Sequence, residues 1–221
     1  IRHPLWSRGL GDVYKRQDPA LLDQNDFTRA GVMPIQAVAK RQAEHLAGRV
    51  CAREALRRVT GIASVPAVGA DRAPQWPTQV SGSITHGQQW AAAIVAPRQH
   101  WRGLGLDVEQ QLSCERAERL AGEILTEAEM QRLDGLAAQE RAWRISLTFS
   151  LKESLFKALY PLVLTRFYFH EAELLSIDAQ QHTATLRLLQ SLSPEWPAGS
   201  RLTGLYSKVA DRLLSLVPIA N

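Results

Sequence analysis

Cysteine is scarce in this 221-residue sequence, which carries Cys51 and Cys114 alone. Two thiols in a chain of this length build no disulfide framework and supply no metal-ligand spacing, so the reading is a reducing, cytoplasmic setting. Long apolar runs are missing as well. The longest, AAAIVAP at 91–97, falls far below the roughly 20 residues that span a bilayer and reads as a buried strand. No continuous apolar stretch follows the N-terminal charges, so no signal peptide and no stable membrane insertion are expected. A clustered basic face is absent too. The net charge is +4, but the first 17 residues hold Arg2, Arg8, Lys15 and Arg16 against Asp12, and the rest of the chain carries +1. A total so small gives no footprint for nucleic acid. Neither a P-loop nor a dense aspartate cluster is present, which argues against nucleotidase-like phosphate chemistry.

What is present is an ordinary globular composition, 45% hydrophobic and 22% charged, enough to bury a core. Residues 1–17 show no helix or strand period. Their end, DVYKRQ, resembles a translated sequencing-adaptor remnant, and the segment is read as non-native. From Asp18 the pattern predicts a helix over 34–60, entered at Pro34 and stopped at Gly61. A Pro- and Gly-rich loop follows at 65–77, then strands near 80–85, 90–96 and 101–109. Helices are expected at 114–122, 126–139 and 141–162, the second capped by Thr126 with Glu129 three residues on. Short β-like runs fill 167–215. This order predicts an α+β chain with antiparallel sheets rather than a βαβ array.

Four stretches carry chemistry. In GLGLDVE at 103–109, alternation puts Leu104, Leu106 and Val108 on one face of a strand and Asp107 and Glu109 on the other. Two carboxylates so placed suit a single hard cation such as magnesium, although a solvated strand face shows the same pattern. In FSLKESLFKAL at 149–159, Glu153 and Lys157 lie one helical turn apart, opposite the apolar stripe of Leu151, Leu155 and Leu159. That is a surface ion pair, or a third carboxylate with a lysine placed to meet phosphate. Arg41, His45, Arg49, Arg53 and Arg57 recur every fourth residue on the 34–60 helix, and arginine forks match phosphate oxygens. GSITHG at 82–87 sets Ser83, Thr85 and His86 between two strands.

Taken in order, the stretches KRQAEHLAGR, RAPQWP, GSITH, GLDVE and FSLKESLFK resemble the 4'-phosphopantetheinyl transferases of the Sfp-type superfamily, in the siderophore (enterobactin synthase component D) subgroup, over about residues 18–215. The resemblance implies two pseudo-symmetric halves, 18–102 and 103–221, each a small antiparallel sheet with a long helix. It implies transfer of phosphopantetheine from coenzyme A to a serine of an apo carrier protein, with Mg²⁺, by a monomeric chain. Asp107, Glu109 and Glu153 would hold the metal and Lys157 the pyrophosphate. Arg49 and Arg53 would bind the phosphates of the adenosine end, Arg72 would sit by the nucleotide, and Thr85 and His86 would contact a phosphate. Glu129 would activate the carrier serine, with Glu127 or water as the rival. The alternative is an inactive carrier-binding subunit, which predicts loss of Asp107, Glu109, Glu153 or Lys157; all four are present.

Overall fold

The computed structural model describes residues 11–16 (by their backbone), 22–87, 90–209 and 212–221. The chain divides into two compact units, 1–108 with 219–221, and 109–218. The division thus falls later than the sequence-based boundary at 102/103.

In the first unit, strand β1 (Gly11–Arg16) pairs antiparallel with β5 (Trp90–Pro97), which pairs antiparallel with β4 (Val80–Gly87). The sequence shows no strand period over β1. Backbone ladder bonds are blind to side chains, so the open edge of the apolar strand β5 can recruit it without one. Residues 1–10 and 17 lie outside the described residues.

Helix α1 (Gln24–Ala30) starts at an Asp23 capping box and ends at Gly31 in the left-handed region. Helix α2 (Ala39–Thr60) starts later than the expected 34–60, because the backbone is still extended at its N-cap Val38, with φ −61° and ψ 153°. It stops where expected, at Gly61, with φ 77°. Its small residues Cys51, Ala52 and Ala55, with Leu56, pack on Val80, Ala91, Ala93 and Val95 of the sheet, all 1% exposed or less. The fit is tight: a Cβ on Gly48 would stand 2.8 Å from Ile84 Cγ2. The loop at 65–77 contains a two-rung hairpin, β2 (Ala67–Val68) with β3 (Pro74–Gln75).

Strand β6 (Trp101–Gln110) runs from the first unit into the second. In the second unit, β7 (Ala172–Asp178), β8 (Thr183–Leu188), β9 (Arg201–Val209) and β10 (Arg212–Ala220) pair antiparallel in that order. Helix α3 (Cys114–Ile124) follows β6, and α4 covers only Glu127–Gln131 of the expected 126–139. Gly135, at φ 78°, breaks that stretch. Helix α5 (Ala138–Val163) presents Leu147, Leu151, Leu155 and Leu159, each 0% exposed, and each such side chain is worth roughly 1.5–3 kcal/mol. Where Gly204 of β9 meets this helix, a Cβ would stand 2.6 Å from Leu151 Cδ2. A serine knot adds polar contacts inside the unit: Ser150 and Ser154 of α5 each lie 2.7 Å from the Ser215 hydroxyl of β10. Among the described residues no helix is long and apolar enough to cross a membrane.

Candidate functional site

On β4, hydroxyls occupy every second position, and they face the backbone of β6. Ser81 donates to the Arg102 carbonyl, the Leu106 N–H donates to Ser83, and the Val108 N–H donates to Thr85, at 2.9, 3.0 and 3.2 Å. Side chains thus do for this stretch of β6 what a ladder partner would do. The last rung goes further. Thr85, 1% exposed, also donates to Asp107 Oδ1 at 3.1 Å, and Asp107 is itself only 3% exposed. The residue expected to contact phosphate therefore spends its single hydroxyl proton on the carboxylate expected to bind metal.

Next to it, His86 stands between Arg41 and Glu44 of α2. Its Nδ1 is 3.4 Å from Glu44 Oε2, its Nε2 is hydrogen-bonded to the Arg41 guanidinium, and Arg41 is 3.3 Å from Glu44. The arginine stripe on α2 does not form one anion-facing row. At 3.6 residues per turn, a four-residue repeat drifts by about 40° each step, so it winds round the helix. Arg57 pairs with Glu54 on the surface, while His45 bonds to the Met33 carbonyl at 3.1 Å. Arg49 is 6% exposed and donates to the Pro66 carbonyl at 2.9 Å, and burial lowers its pKa. Arg53 bonds the Ala30 carbonyl. A guanidinium has five N–H groups, so both arginines keep donors for a phosphate. Arg72 sits exposed at the hairpin tip between β2 and β3 with φ 70°, a conformation that costs a non-glycine residue about 1–2 kcal/mol.

In the second unit the sequence reading of Glu129 needs correction. Glu129 is 5% exposed and its carboxylate is fully engaged. Oε1 accepts from the Leu174 N–H at 2.6 Å, and Oε2 accepts from the Thr126 N–H at 2.8 Å and from Lys152 Nζ at 2.6 Å. Lys152, 2% exposed, also donates to the carbonyls of Ile124 and Phe169, both at 2.9 Å. Burial pulls the lysine below its ordinary pKa while Glu129 pulls it up. All three ammonium protons are used, and both oxygens of the carboxylate already accept hydrogen bonds from inside the fold. Glu129 staples α4, α5 and β7 together; it is not placed to activate a serine. Its rival Glu127 is exposed on the first turn of α4.

Glu153 and Lys157 are half-buried on α5. Glu153 lines an open cavity of about 200 Å³ with Lys152, Phe156, Arg166, Phe167 and Tyr168. The aromatic wall is cohesive: Phe156 stacks on Tyr160 at 5.2 Å and tilts against Phe167 at 5.3 Å. Sequence reasoning noted Phe156 but missed Arg166 and the 167–169 aromatics, whose FYF triplet is the signal that could have found them.

Asp107 and Glu109 lie two residues apart on β6. Their oxygens, with those of Glu153, are the hard donors that magnesium takes, so the donor chemistry fits. Among the described residues, no group of three or more His, Cys, Asp or Glu side chains is drawn together closely enough to hold a metal ion.

Known proteins share this arrangement of sequence. A family model of the 4'-phosphopantetheinyl transferase N-terminal domain matches residues 31–96, and one of the 4'-phosphopantetheinyl transferase superfamily matches residues 103–206. The chain is 44% identical over 121 residues to enterobactin synthase component D of Escherichia coli strain K12, covering 54% of this chain and 55% of that one. It is 38% identical over 166 residues to the protein of that name in Salmonella typhimurium, covering 75% and 65%. It is 40% identical over 166 residues to the 4'-phosphopantetheinyl transferase Svp of Streptomyces mobaraensis, covering 74% and 65%. The chain thus spans little more than half the length of the first of these relatives. With both of its halves matched by models of one family, the chain belongs to the 4'-phosphopantetheinyl transferase superfamily.

Proposed function

We propose that this chain is an active, magnesium-dependent transferase that moves 4'-phosphopantetheine from coenzyme A to a serine of an apo carrier protein. The observation that carries the reading is Asp107. It is a carboxylate buried to 3% exposure, on the same strand as Glu109, inside the stretch matched by the superfamily model. A carboxylate held so deep is of the kind that ligation or hydrogen bonding must compensate. The relatives named enterobactin synthase component D favour siderophore assembly as the pathway served.

In this reading Asp107, Glu109 and Glu153 would hold Mg²⁺, which when bound withdraws charge from the pyrophosphate oxygens. Lys157 steadies the pyrophosphate. Arg49, Arg53, Arg72 and His86 orient the adenosine end and its phosphate. The serine oxygen attacks the β-phosphorus, the bond to the α-phosphate oxygen breaks, and 3',5'-adenosine bisphosphate leaves with the electron pair. The serine proton passes to a carboxylate that an entering hydroxyl reaches, or to water. Burial disfavours Glu129 for that role and leaves Glu127, on its exposed turn, as the carboxylate. Positioning and electrostatics supply most of the acceleration.

The reading is tested by incubating the protein with coenzyme A, Mg²⁺ and apo acyl, peptidyl and aryl carrier domains. Intact mass then shows a gain of one phosphopantetheine on a carrier. No gain on any of the three classes overturns it, and so favours the inactive carrier-binding subunit. Asp107→Ala is expected to slow transfer by roughly a hundredfold or more; transfer at the wild-type rate removes Asp107 from the metal site.

A further inference from the structure

We infer that Thr85 is a positioning residue for the metal-binding carboxylate Asp107 and that its hydroxyl does not serve as a phosphate contact. The inference rests on the transferase reading above. Three features of β4 lead to it. First, Ser81, Ser83 and Thr85 form one row, and each serves a backbone group of β6. The row itself is structural, since it satisfies polar groups that burial would otherwise leave without partners. Second, Thr85 adds a bond that the serines do not, donating to Asp107 Oδ1 at 3.1 Å. A hydroxyl has one proton to give. While that proton is on the carboxylate, a phosphate oxygen, which only accepts, gains nothing from this side chain. Third, Thr85 is 1% exposed and Asp107 is 3% exposed, so the contact lies where water does not compete for it. A neutral donor on one oxygen restrains the carboxylate's rotation without cancelling its charge. Partners of this kind around metal ligands are typically worth 10–100-fold in metal affinity.

The test compares Thr85→Val, Thr85→Ser and Ser83→Ala with the wild type in the full chain. Binding of Mn²⁺ to the protein with coenzyme A is followed by electron paramagnetic resonance, and coenzyme A and dephospho-coenzyme A are titrated separately by calorimetry. Thr85→Val is expected to weaken Mn²⁺ binding by about tenfold and to leave the ratio of the two nucleotide affinities within about twofold of the wild type. Thr85→Ser keeps the hydroxyl and should restore Mn²⁺ binding. Ser83→Ala loses the neighbouring rung at Leu106 and should lower the unfolding temperature without moving the Mn²⁺ midpoint. That separates a positioning role from a merely structural one. If Thr85→Val does not fold, Thr85→Ala carries the same comparison.

Wild-type Mn²⁺ affinity in the Thr85 variant overturns the inference. So does a loss of affinity for coenzyme A that disappears with dephospho-coenzyme A, because that pattern marks a phosphate contact. Equal Mn²⁺ weakening in Ser83→Ala overturns it as well. A wild-type chain that moves no phosphopantetheine, by contrast, sinks the transferase reading, and that result is read in the mass assay before any variant is made.

Discussion

Glu129 and Lys152 show how burial decides the role of a charged residue. The pair is 5% and 2% exposed, and removing one member strands the other. Glu129→Ala is therefore expected to cost about 3–5 kcal/mol in urea unfolding at neutral pH, and Glu129→Leu with Lys152→Met should recover most of it. If Glu129→Ala unfolds at the wild-type midpoint and loses only transfer, the staple assignment fails. The capping box at Thr126 and Glu129 was legible in the sequence, and it already engaged the Glu129 carboxylate. What could not be read was the lysine, which arrives from 23 residues away along the chain. The acidic pair Asp107 and Glu109 was legible because a strand's two-residue period is local. The tie from Thr85 to Asp107 was not, because it joins residues 22 apart in the sequence on two different strands.

At the scale of elements, close approach decides what substitutions cost. Gly82 on β4 lies under the Trp76 ring, and a Cβ there would stand 2.7 Å from Trp76 Cζ2 and 2.9 Å from the Ile94 carbonyl oxygen. The backbone contact has no way to yield, so Gly82→Ala is expected to lose about 1–3 kcal/mol, seen as a lower thermal midpoint. Gly122, exposed in α3, has nothing within 4 Å of its would-be Cβ. Gly122→Ala should raise stability by about 0.5–1 kcal/mol, since alanine gives up less entropy in a helix. A midpoint that rises in the first variant or falls in the second contradicts these packing assignments. Helix α5 could be read from its apolar spacing, and the end of α2 from Gly61. The short α4 could not, because the expectation ran through Gly135. Strand β1 lacked a period of its own, and its place comes from β5.

For the molecule as a whole, acid is the condition that tests the ion pairs. Burial pushes the Glu173 carboxyl up, but hydrogen bonds from Arg132 at 2.7 Å and Arg187 at 2.5 Å outweigh it and hold it below 4.5. Glu54 is drawn from 4.5 to about 2, first by its hydrogen bonds to Arg57. For both groups the folded chain binds fewer protons than the unfolded chain once the pH falls below 4.5. Stability is thus present above that value and lost as the pH falls through the folded-state titration. Urea midpoints should decline from pH 5 toward pH 2, and Glu173→Gln should flatten that slope more than Glu54→Gln, because surface pairs are screened. A slope that Glu173→Gln leaves unchanged removes this pair as its source.

By itself the sequence determined what depends on near neighbours: the helix and strand periods, the caps, the order of the motifs, and through them the family. The oxygen donors of β6 and the Glu153–Lys157 turn of α5 belong to that share. Tertiary structure decided which polar groups are spent internally. Burial closed Glu129 inside a salt bridge and turned Thr85 toward Asp107, while Glu153 lines an open aromatic cavity. The physical reason is that a side chain's available protons and lone pairs depend on what packs against it. Those partners arrive from elements tens of residues away, beyond the reach of any local pattern.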